Sequence, residues 1–388
     1  MTRPPYDDDD LKEVLRYLKG EGRRLVDPLG KDAAPSDPYF APSLLAARKL
    51  MEFTFGNRRK DGAEFRIYPV FIERALPNAF AVDLGTLHLC GIDAGLVTTA
   101  FELSCFMLSQ RAFLADVGDA SKEESPVLPE GAALGYWILD GIAASHPAPV
   151  TGLGEALIPI DPDRRLTAHL LSQLMLRFAW FHEMFHGLNG HSGYLAAVRK
   201  GGELREIPES HEPDYLSLAG RTKLSVIPVS SLQAMEFDAD RSALWLMMRL
   251  QEVDEEPFAA LSELPRALRL KLVGIATLLT VFLFDQAAKR SPLQEMSTHP
   301  TARLRLYNLL GMIASNLARE SPEAARAAID ALIEIGRVRN CIPSLPDVAH
   351  LKQELSLPAF QAGLDQVDTD LVRFRAQWSS FAYRREHP

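Results

Sequence analysis

The segment FHEMFH, inside a strongly helical stretch of the chain, carries two histidines four residues apart with a glutamate directly after the first. Four residues is close to one helical turn, so the rings of His182 and His186 project from one face about 6 Å apart. That separation suits two ligands of one tetrahedral zinc ion. Glu183 points to the side, where it can take a proton from water held by the zinc. The spacing therefore predicts a hydrolytic zinc site.

The surroundings of this motif favour a metal site over two incidental histidines. With ten histidines in the chain, a chance HExxH is expected in roughly one or two of a hundred such chains, often in a loop. Here apolar residues recur at three- and four-residue spacing from Leu166 to Phe181, which predicts one long helix. Trp180, Met184 and Phe185 predict that the motif is buried, and a dry surround strengthens the electrostatics of a metal site.

A second apolar helix supplies candidates for the rest of the site. Its segment EFDAD begins fifty residues after His186 and places Glu236 and Asp240 one turn apart on one face. Glu236 can complete a His2Glu site with an open fourth position, as hydrolytic zinc requires. Asp240 can accept the free N–H of a ligating histidine and fix its tautomer. The alternative is a solvated face with an Asp240–Arg241 pair, and Asp238 is expected on the exposed side of the helix.

His191 is the rival third ligand. In the metzincin arrangement, HExxHxxGxxH, the third histidine lies ten residues after the first and a glycine lies seven after it. Here His191 lies nine residues after His182, and Asn189 stands at the glycine position. Both departures favour Glu236 as the ligand. His191 is expected instead to brace the turn that ends the helix at 187–190.

The remaining sequence predicts an α+β protein that is mostly helical. β-Branched and aromatic residues, with turn signals at Pro77-Asn78 and Gly85, predict two or three strands within 65–92. Helices are predicted at 11–18, 96–113, 136–144, 163–187, 232–250, 257–288, 298–318, 322–338 and within 347–385. The predicted divisions are an acidic, proline-rich arm at 1–40, a domain at 41–318 with an inserted loop region at 192–230, and a helical extension at 319–388.

Composition and charge exclude several classes of protein. Hydrophobic residues make up 47% and charged residues 24% of the 388 residues, which is typical of a globular chain rather than a disordered one. A net charge of −9 counts against a nucleic-acid partner. The longest apolar run, Leu272 to Phe284, is shorter than the roughly 20 residues of a membrane span and predicts a buried helix. Three scattered cysteines and no visible secretory signal predict a cytoplasmic protein.

Four segments together resemble the gluzincin peptidases of the HtpX and CAAX-prenyl-protease type. The first two are the HExxH helix and the segment EFDAD followed by RSAL. The third is PNAFA at 77–81 followed by LHLCGIDAGLVTTA, which is similar to that family's NAFA stretch, and the fourth is STHP at 297–300 with Arg305 beyond it. The resemblance covers roughly residues 66–315. It implies a zincin-like core with a small sheet packed on the active-site helix, and a metalloendopeptidase acting on a protein or peptide.

The resemblance also implies roles that spacing alone does not assign. Asn78, Ala79 and Phe80 are expected at a strand that edges the cleft, where 78–89 offers backbone hydrogen bonds to an extended substrate. His299 is expected near the metal, as an oxyanion stabiliser or a reversible extra ligand. The motif interior, HEMFH rather than HELGH, and the lack of a predicted membrane span indicate a soluble relative. Arg303 lies close enough to Arg305 in sequence to take that arginine's role.

Two other interpretations stay open. Lit-type phage-exclusion peptidases, which are cytosolic HExxH enzymes that cut a host protein, are a second resemblance through the HExxH helix and the missing membrane segment. It implies a defence or toxin protease with one target, and the loop region 192–230 and the arm 1–40 are expected to cover the cleft. The other interpretation is a zinc-binding regulatory protein without turnover. Glu183 and the open fourth position count against it.

Overall fold

The protein combines a small mixed sheet with a larger set of helices. This computed structural model describes residues 6, 8–29, 40–74, 77–126, 158–198, 206–208, 229–253, 256–290, 300, 302–313, 317–340, 353 and 358–385. The strands are β1 (Leu25–Val26), β2 (Asn57–Arg58), β3 (Ile67–Ile72), β4 (Ala79–Asp83), β5 (His88–Asp93), β6 (Glu206–Pro208) and β7 (Arg384–Arg385). The helices longer than three residues are α1 (Asp8–Gly20), α2 (Phe40–Met51), α3 (Ala94–Leu108), α4 (Pro162–Leu188), α5 (His191–Val198), α6 (Val229–Glu252), α7 (Ala259–Ser262), α8 (Arg266–Arg290), α9 (Ala302–Met312), α10 (Pro322–Arg337) and α11 (Pro358–Trp378).

The predicted class, α+β and mostly helical, is confirmed over these residues. The strand-rich segment 65–92 forms β3, β4 and β5, and the two helices expected to carry the site are α4 and α6. The helix predicted at 136–144 lies outside the described residues. The predicted division into an arm, a domain and an extension stays a prediction.

The main sheet has the strand order β1-β3-β5-β4-β6. β3 pairs with β5 in parallel, and the other neighbours are antiparallel. A tight turn joins β4 to β5, and Gly85 within it has φ +93°, a backbone region that favours glycine. β1 and β6 were not predicted, because strands of two and three residues are too short to show an alternating pattern.

The two faces of the sheet pack against different helices, because successive side chains of a strand point to opposite faces. One face joins the core around α4 through Ile67, Phe71, Ala79, Cys90 and Ile92. The other face packs with Val14 and Leu18 of α1 through Tyr68, Val70, Ile72, Phe80, Val82 and Leu89. The short helix predicted in the arm is therefore present as α1, and it covers the side of the sheet that faces away from α4.

The start of α4 is fixed to the end of α3. Asp161 caps α4 by accepting from the backbone N–H groups of Asp163 and Arg164, and Pro162 opens the first turn. The guanidinium of Arg164 is fully buried and donates to five backbone carbonyls, those of Leu108, Gln110, Phe113, Leu114 and Val117. These bonds set the position of α4, which carries the HExxH motif 18 residues further along.

α8 contains the apolar run singled out in the sequence. In the part of the chain that the structure describes, its segment Arg266–Phe284 is the one helix long and apolar enough to cross a membrane by length and composition. Most of this segment is buried inside the protein, where α8 packs against α4, α6 and α10. Burial of this kind is typical of a core helix, as the sequence predicted.

The C-terminal segment returns to the turn that follows α4. The backbone N–H of Tyr383 donates to the carbonyl of Leu188 over 2.9 Å, and β7 pairs with β2. Gly190, in this turn, has φ +88°, and a Cβ there would lie 2.5 Å from the backbone nitrogen of Ala382. The turn therefore needs glycine both for its backbone conformation and for the close approach of the C-terminal chain.

Candidate metal centre

Three of the predicted ligands meet between α4 and α6. His182 Nε2 lies 2.9 Å from His186 Nε2 and 3.3 Å from Glu236 Oε2, and His186 Nε2 lies 3.5 Å from Glu236 Oε1. All three side chains are buried, and together they form a group that can hold a metal ion. The structure thus brings together the residues that the HExxH and EFDAD spacings selected.

The separations match the size of a small tetrahedral site. Zinc binds imidazole nitrogen at about 2.0–2.1 Å and carboxylate oxygen at about 2.0–2.2 Å, so neighbouring ligand atoms of a tetrahedral ion lie about 3.3 Å apart. The three distances of 2.9, 3.3 and 3.5 Å bracket this value. The donor set therefore has the dimensions of such a site, with one oxygen of Glu236 near each of the two imidazoles.

The chemistry of the donor set also calls for a cation. His182 Nδ1 lies 3.0 Å from Asp240 Oδ1, and His186 Nδ1 lies 3.1 Å from His191 Nδ1. A carboxylate on Nδ1 favours the tautomer that carries its proton there, and the same assignment for His186 lets it donate to His191. The two Nε2 lone pairs then face each other and the carboxylate of Glu236. A cation bound between these three electron-rich atoms would offset the cost of burying them together.

Asp240 lies beside His182, one of the two candidate histidine ligands. Its oxygens accept from Arg305, with Nε to Oδ2 at 2.8 Å and Nη2 to Oδ1 at 2.6 Å. Both side chains are buried. Arg305, which the resemblance had singled out, thus acts on His182 through Asp240. Of the fourth resembling segment, 297–299 lies outside the described residues, so the predicted role of His299 stays a prediction.

Asp238 is buried, and the prediction that it is exposed was wrong. It is 2% exposed, because α11 and the turn after α4 cover the face of α6 that would otherwise meet solvent. Its Oδ2 lies 3.1 Å from His191 Nε2 and accepts from Asn189 Nδ2 over 2.9 Å, while its Oδ1 accepts from Arg375. Burial alone would raise the pKa of Asp238, but the hydrogen bonds from His191 and Arg375 and the positive charge of Arg375 lower it to about 2.

Glu183, the predicted general base, is 1% exposed and lies close enough to β5 for its charge to act on that strand. Its neighbour there is Cys90 of β5, whose thiol donates to the carbonyl of Trp180 over 3.6 Å. Burial raises the pKa of the Cys90 thiol, and the negative charge of Glu183 raises it further. Cys90 is therefore an uncharged, buried thiol beside Glu183 rather than a thiolate nucleophile.

The predicted substrate-binding residues are buried around the start of β4. The carbonyl of Asn78 accepts from the backbone N–H of Asp93, and Ala79 faces α4. Phe80 points to the opposite face of the sheet, where its ring lies over Gly91 and leaves no room for a Cβ. The outer edge of β4 is paired with β6, with Phe80, Ala81 and Val82 opposite Pro208, Ile207 and Glu206. A substrate role for Asn78, Ala79 and Phe80 stays a prediction.

His88 and Ser192 support the same region from the sheet side. His88 is buried, with Nε2 lying 3.2 Å from the hydroxyl of Tyr383 and Nδ1 lying 3.3 Å from Ser192 Oγ. Ser192 Oγ also donates to the carbonyl of His186 over 3.4 Å. Burial lowers the pKa of His88, so the ring is neutral at physiological pH. These contacts hold the backbone of the last turn of α4.

The interactions of His191, Asp238 and Arg375 were not predicted as a set. One signal for Asp238 was in the sequence, since acidic residues alternate at 236, 238 and 240 within an otherwise apolar helix, and a buried carboxylate needs a partner. Arg375 follows Asp238 by 137 positions and stands in an ordinary amphipathic pattern, so no local feature pointed to it.

Comparison of the chain with protein-family models, with curated proteins and with solved structures gave no match.

Proposed function

We propose that the protein is a zinc-dependent metalloendopeptidase. The observation that carries the proposal is the convergence of His182 Nε2, His186 Nε2 and the two carboxylate oxygens of Glu236, one oxygen near each ring, at separations of 2.9–3.5 Å in a buried site. Two imidazoles and one carboxylate, with a fourth position left open, form the ligand set of hydrolytic zinc. Imidazole ligands also suit zinc better than magnesium or calcium, which prefer oxygen.

Zinc held there would polarise the substrate carbonyl and lower the pKa of a coordinated water. The residues of the chain supply the rest of the reaction. Glu183, next to His182 on α4, takes the proton of the attacking water and returns it to the leaving amine. Asp240 keeps the proton of His182 on Nδ1, so that Nε2 stays free to bind the metal. His299 is proposed to stabilise the oxyanion, in agreement with the resemblance stated above.

The proposed substrate is a protein or peptide in extended form. β4 runs beside α4, and its other side faces β6 rather than a core element. With β6 displaced, this edge of β4 would offer backbone N–H and C=O groups that recognise an extended chain irrespective of its side chains. The side-chain preference of the enzyme would then come from residues around the cleft.

A selective protease fits the structure better than a general one. The segment Glu206–Pro208, from the loop region predicted to cover the cleft, already pairs with the outer edge of β4. A substrate must therefore displace this segment or bind elsewhere, and this requirement hinders the cleavage of unrelated proteins. This observation supports the defence-protease version of the function, in which the same chemistry acts on one protein target.

A regulatory protein with a purely structural zinc is the second class of function. Structural zinc sites use four protein ligands, mostly cysteine and histidine. In the part of the chain that the structure describes, the group that can hold a metal has three members and contains no cysteine. The buried glutamate directly after His182 is also the residue that a hydrolytic site needs, so the catalytic version is preferred.

Metal content tests the proposal directly. Protein purified without added metal is analysed by mass spectrometry for wild type, Glu236→Ala and the control Glu263→Ala, which removes an exposed glutamate of the same chain. We expect about one zinc per chain in wild type and in the control, and little in Glu236→Ala. Zinc retained in Glu236→Ala would make His191 or His299 the third ligand, and no metal in any variant would overturn the proposal.

A further inference from the structure

We propose that His191, Asp238 and Arg375 form a positioning chain that holds His186 in its metal-binding orientation and makes the C-terminal helix α11 part of the metal centre. This inference rests on the proposed metal site. It assigns a role to a histidine that is itself not a ligand, and to a helix that begins more than a hundred residues after Glu236. The three side chains come from α5, α6 and α11.

The hydrogen bonds of this chain have one consistent direction. When His186 binds a metal through Nε2, its proton is on Nδ1, and His191 Nδ1 is the atom 3.1 Å away that can accept it. The proton of His191 is then on Nε2, which lies 3.1 Å from Asp238 Oδ2 and donates to it. Each ring thereby fixes the tautomer of the other, and the carboxylate of Asp238 determines both.

Arg375 anchors the end of the positioning chain that is farthest from His186. Its Nε donates to Asp238 Oδ1 over 2.8 Å, and its Nη2 donates to the same oxygen. Asn189 donates to Oδ2, the oxygen that also receives His191. The carboxylate of Asp238 is therefore bound on both oxygens, and its free rotation, which would release His191, is prevented.

The packing of the His191 ring also connects the positioning chain to α11. The ring of His191 is fully buried and meets the ring of Trp378 edge to face, with centroids 4.8 Å apart. Beyond Trp378, the C-terminal chain lies against Gly190 and bonds to the carbonyl of Leu188 through Tyr383. α11 thus touches the turn between α4 and α5 at several points, and a displacement of α11 would move His191.

Each of the two proposed histidine ligands is oriented by a carboxylate–arginine pair, directly for His182 and through a second imidazole for His186. His182 meets the Asp240–Arg305 pair directly, with Nδ1 lying 3.0 Å from Oδ1. His186 meets the Asp238–Arg375 pair through one intervening imidazole. Both supports draw their carboxylate from α6, which also supplies Glu236. The ring orientation of both ligands therefore depends on α6, and that of His186 depends in addition on α11.

Zinc affinity in matched variants tests this chain. His191→Phe keeps a planar ring against Trp378 but removes the acceptor for His186 Nδ1, whereas His191→Gln keeps an acceptor oxygen. Arg375→Gln removes the anchor from a half-exposed position, and Arg373→Gln, on the exposed face of the same helix, is the control. The readouts are the zinc dissociation constant by chelator competition, the visible absorption of cobalt-substituted protein, and the thermal midpoint of the metal-free protein.

We expect His191→Phe to weaken zinc binding 10- to 100-fold and to alter the cobalt spectrum, with His191→Gln intermediate and Arg373→Gln unchanged. Arg375→Gln should weaken binding in the same direction with a folded metal-free state. Zinc binding by a folded His191→Phe that equals wild type would overturn the chain while leaving the metalloprotease proposal intact. Equal loss in His191→Phe and His191→Gln would instead make His191 a ligand. Wild type that binds no metal would overturn both proposals.

Discussion

Arg305 binds both oxygens of Asp240, at 2.8 and 2.6 Å, in a buried pair whose Oδ1 also lies 3.0 Å from His182 Nδ1. The arginine comes from α9 and the carboxylate from α6, so two helices together position a group beside one proposed ligand of α4. The paired oxygens leave the carboxylate a single orientation, and that orientation directs Oδ1 toward His182. A carboxylate in this place favours the tautomer of His182 with its proton on Nδ1, which leaves Nε2 available to the proposed metal.

Asp240→Ala should weaken zinc binding 10- to 100-fold, because His182 loses the acceptor that fixes its tautomer. It also leaves Arg305 as a buried charge without its carboxylate, so the metal-free protein should lose about 3–5 kcal/mol of stability. Chelator competition and urea unfolding measure the two effects. Asp330→Ala, at an exposed position of α10, is the control. If Asp240→Ala bound zinc as tightly as wild type, Asp240 would have no role in orienting His182 for the metal.

Glu183→Gln should leave one zinc per chain and reduce cleavage at least about 100-fold, because an amide cannot take the proton of the attacking water. The side chain keeps its size, so the packing between α4 and the sheet is preserved. The measurement is the release of fluorescent peptides from labelled casein and from a peptide library, together with metal content. Glu263→Gln is the matched control. Full activity in Glu183→Gln would assign the base to another residue and contradict the mechanism.

Sequence patterns predicted the elements that carry the site because those elements are long. Helices α4 and α6 each present several turns of apolar periodicity, and the HExxH and EFDAD segments lie in their interiors, where the spacing fixes which side chains share a face. Glu236 and Asp240 could therefore be assigned a face before their partners were known. The placement of the two histidines on one face follows from this spacing, whereas their approach to Glu236 depends on the packing of α6 against α4.

The features that could not be predicted depend on contacts between distant segments. The pattern of α6 alone predicts that Asp238 is exposed. In the folded protein α11 packs against α6, covers Asp238 and supplies Arg375 as its partner. β6 has three residues, one of them a proline, and its pairing with β4 depends on tertiary contact rather than on strand propensity. His191 failed the metzincin spacing as a ligand, yet that same offset places it beside the other nitrogen of His186.

Glu102→Gln should make the protein more stable at pH 8 than wild type and nearly equal at pH 4. Burial raises the pKa of Glu102 from the ordinary 4.5 to about 7, so folding retains a proton that the unfolded chain releases. Stability therefore falls as pH rises from about 4.5 to 7, and this difference corresponds to on the order of 3 kcal/mol. Urea unfolding at both pH values, with the exposed Glu124→Gln as control, measures it. Parallel pH profiles for wild type and Glu102→Gln would contradict the burial effect.

Loosening β6 should raise peptidase activity, because β6 pairs with the edge of β4 that an extended substrate would otherwise use. The triple variant Glu206→Gly, Ile207→Ser and Pro208→Gly lowers strand propensity there without changing the length of the loop. The control loosens the opposite edge of the sheet, with Leu25→Gly and Val26→Ser in β1. We expect kcat/KM for unstructured peptides to rise several-fold in the β6 variant alone, at unchanged zinc content. Equal or lower activity would mean that substrate reaches the site without using this edge, and the selectivity of the enzyme would then have another origin.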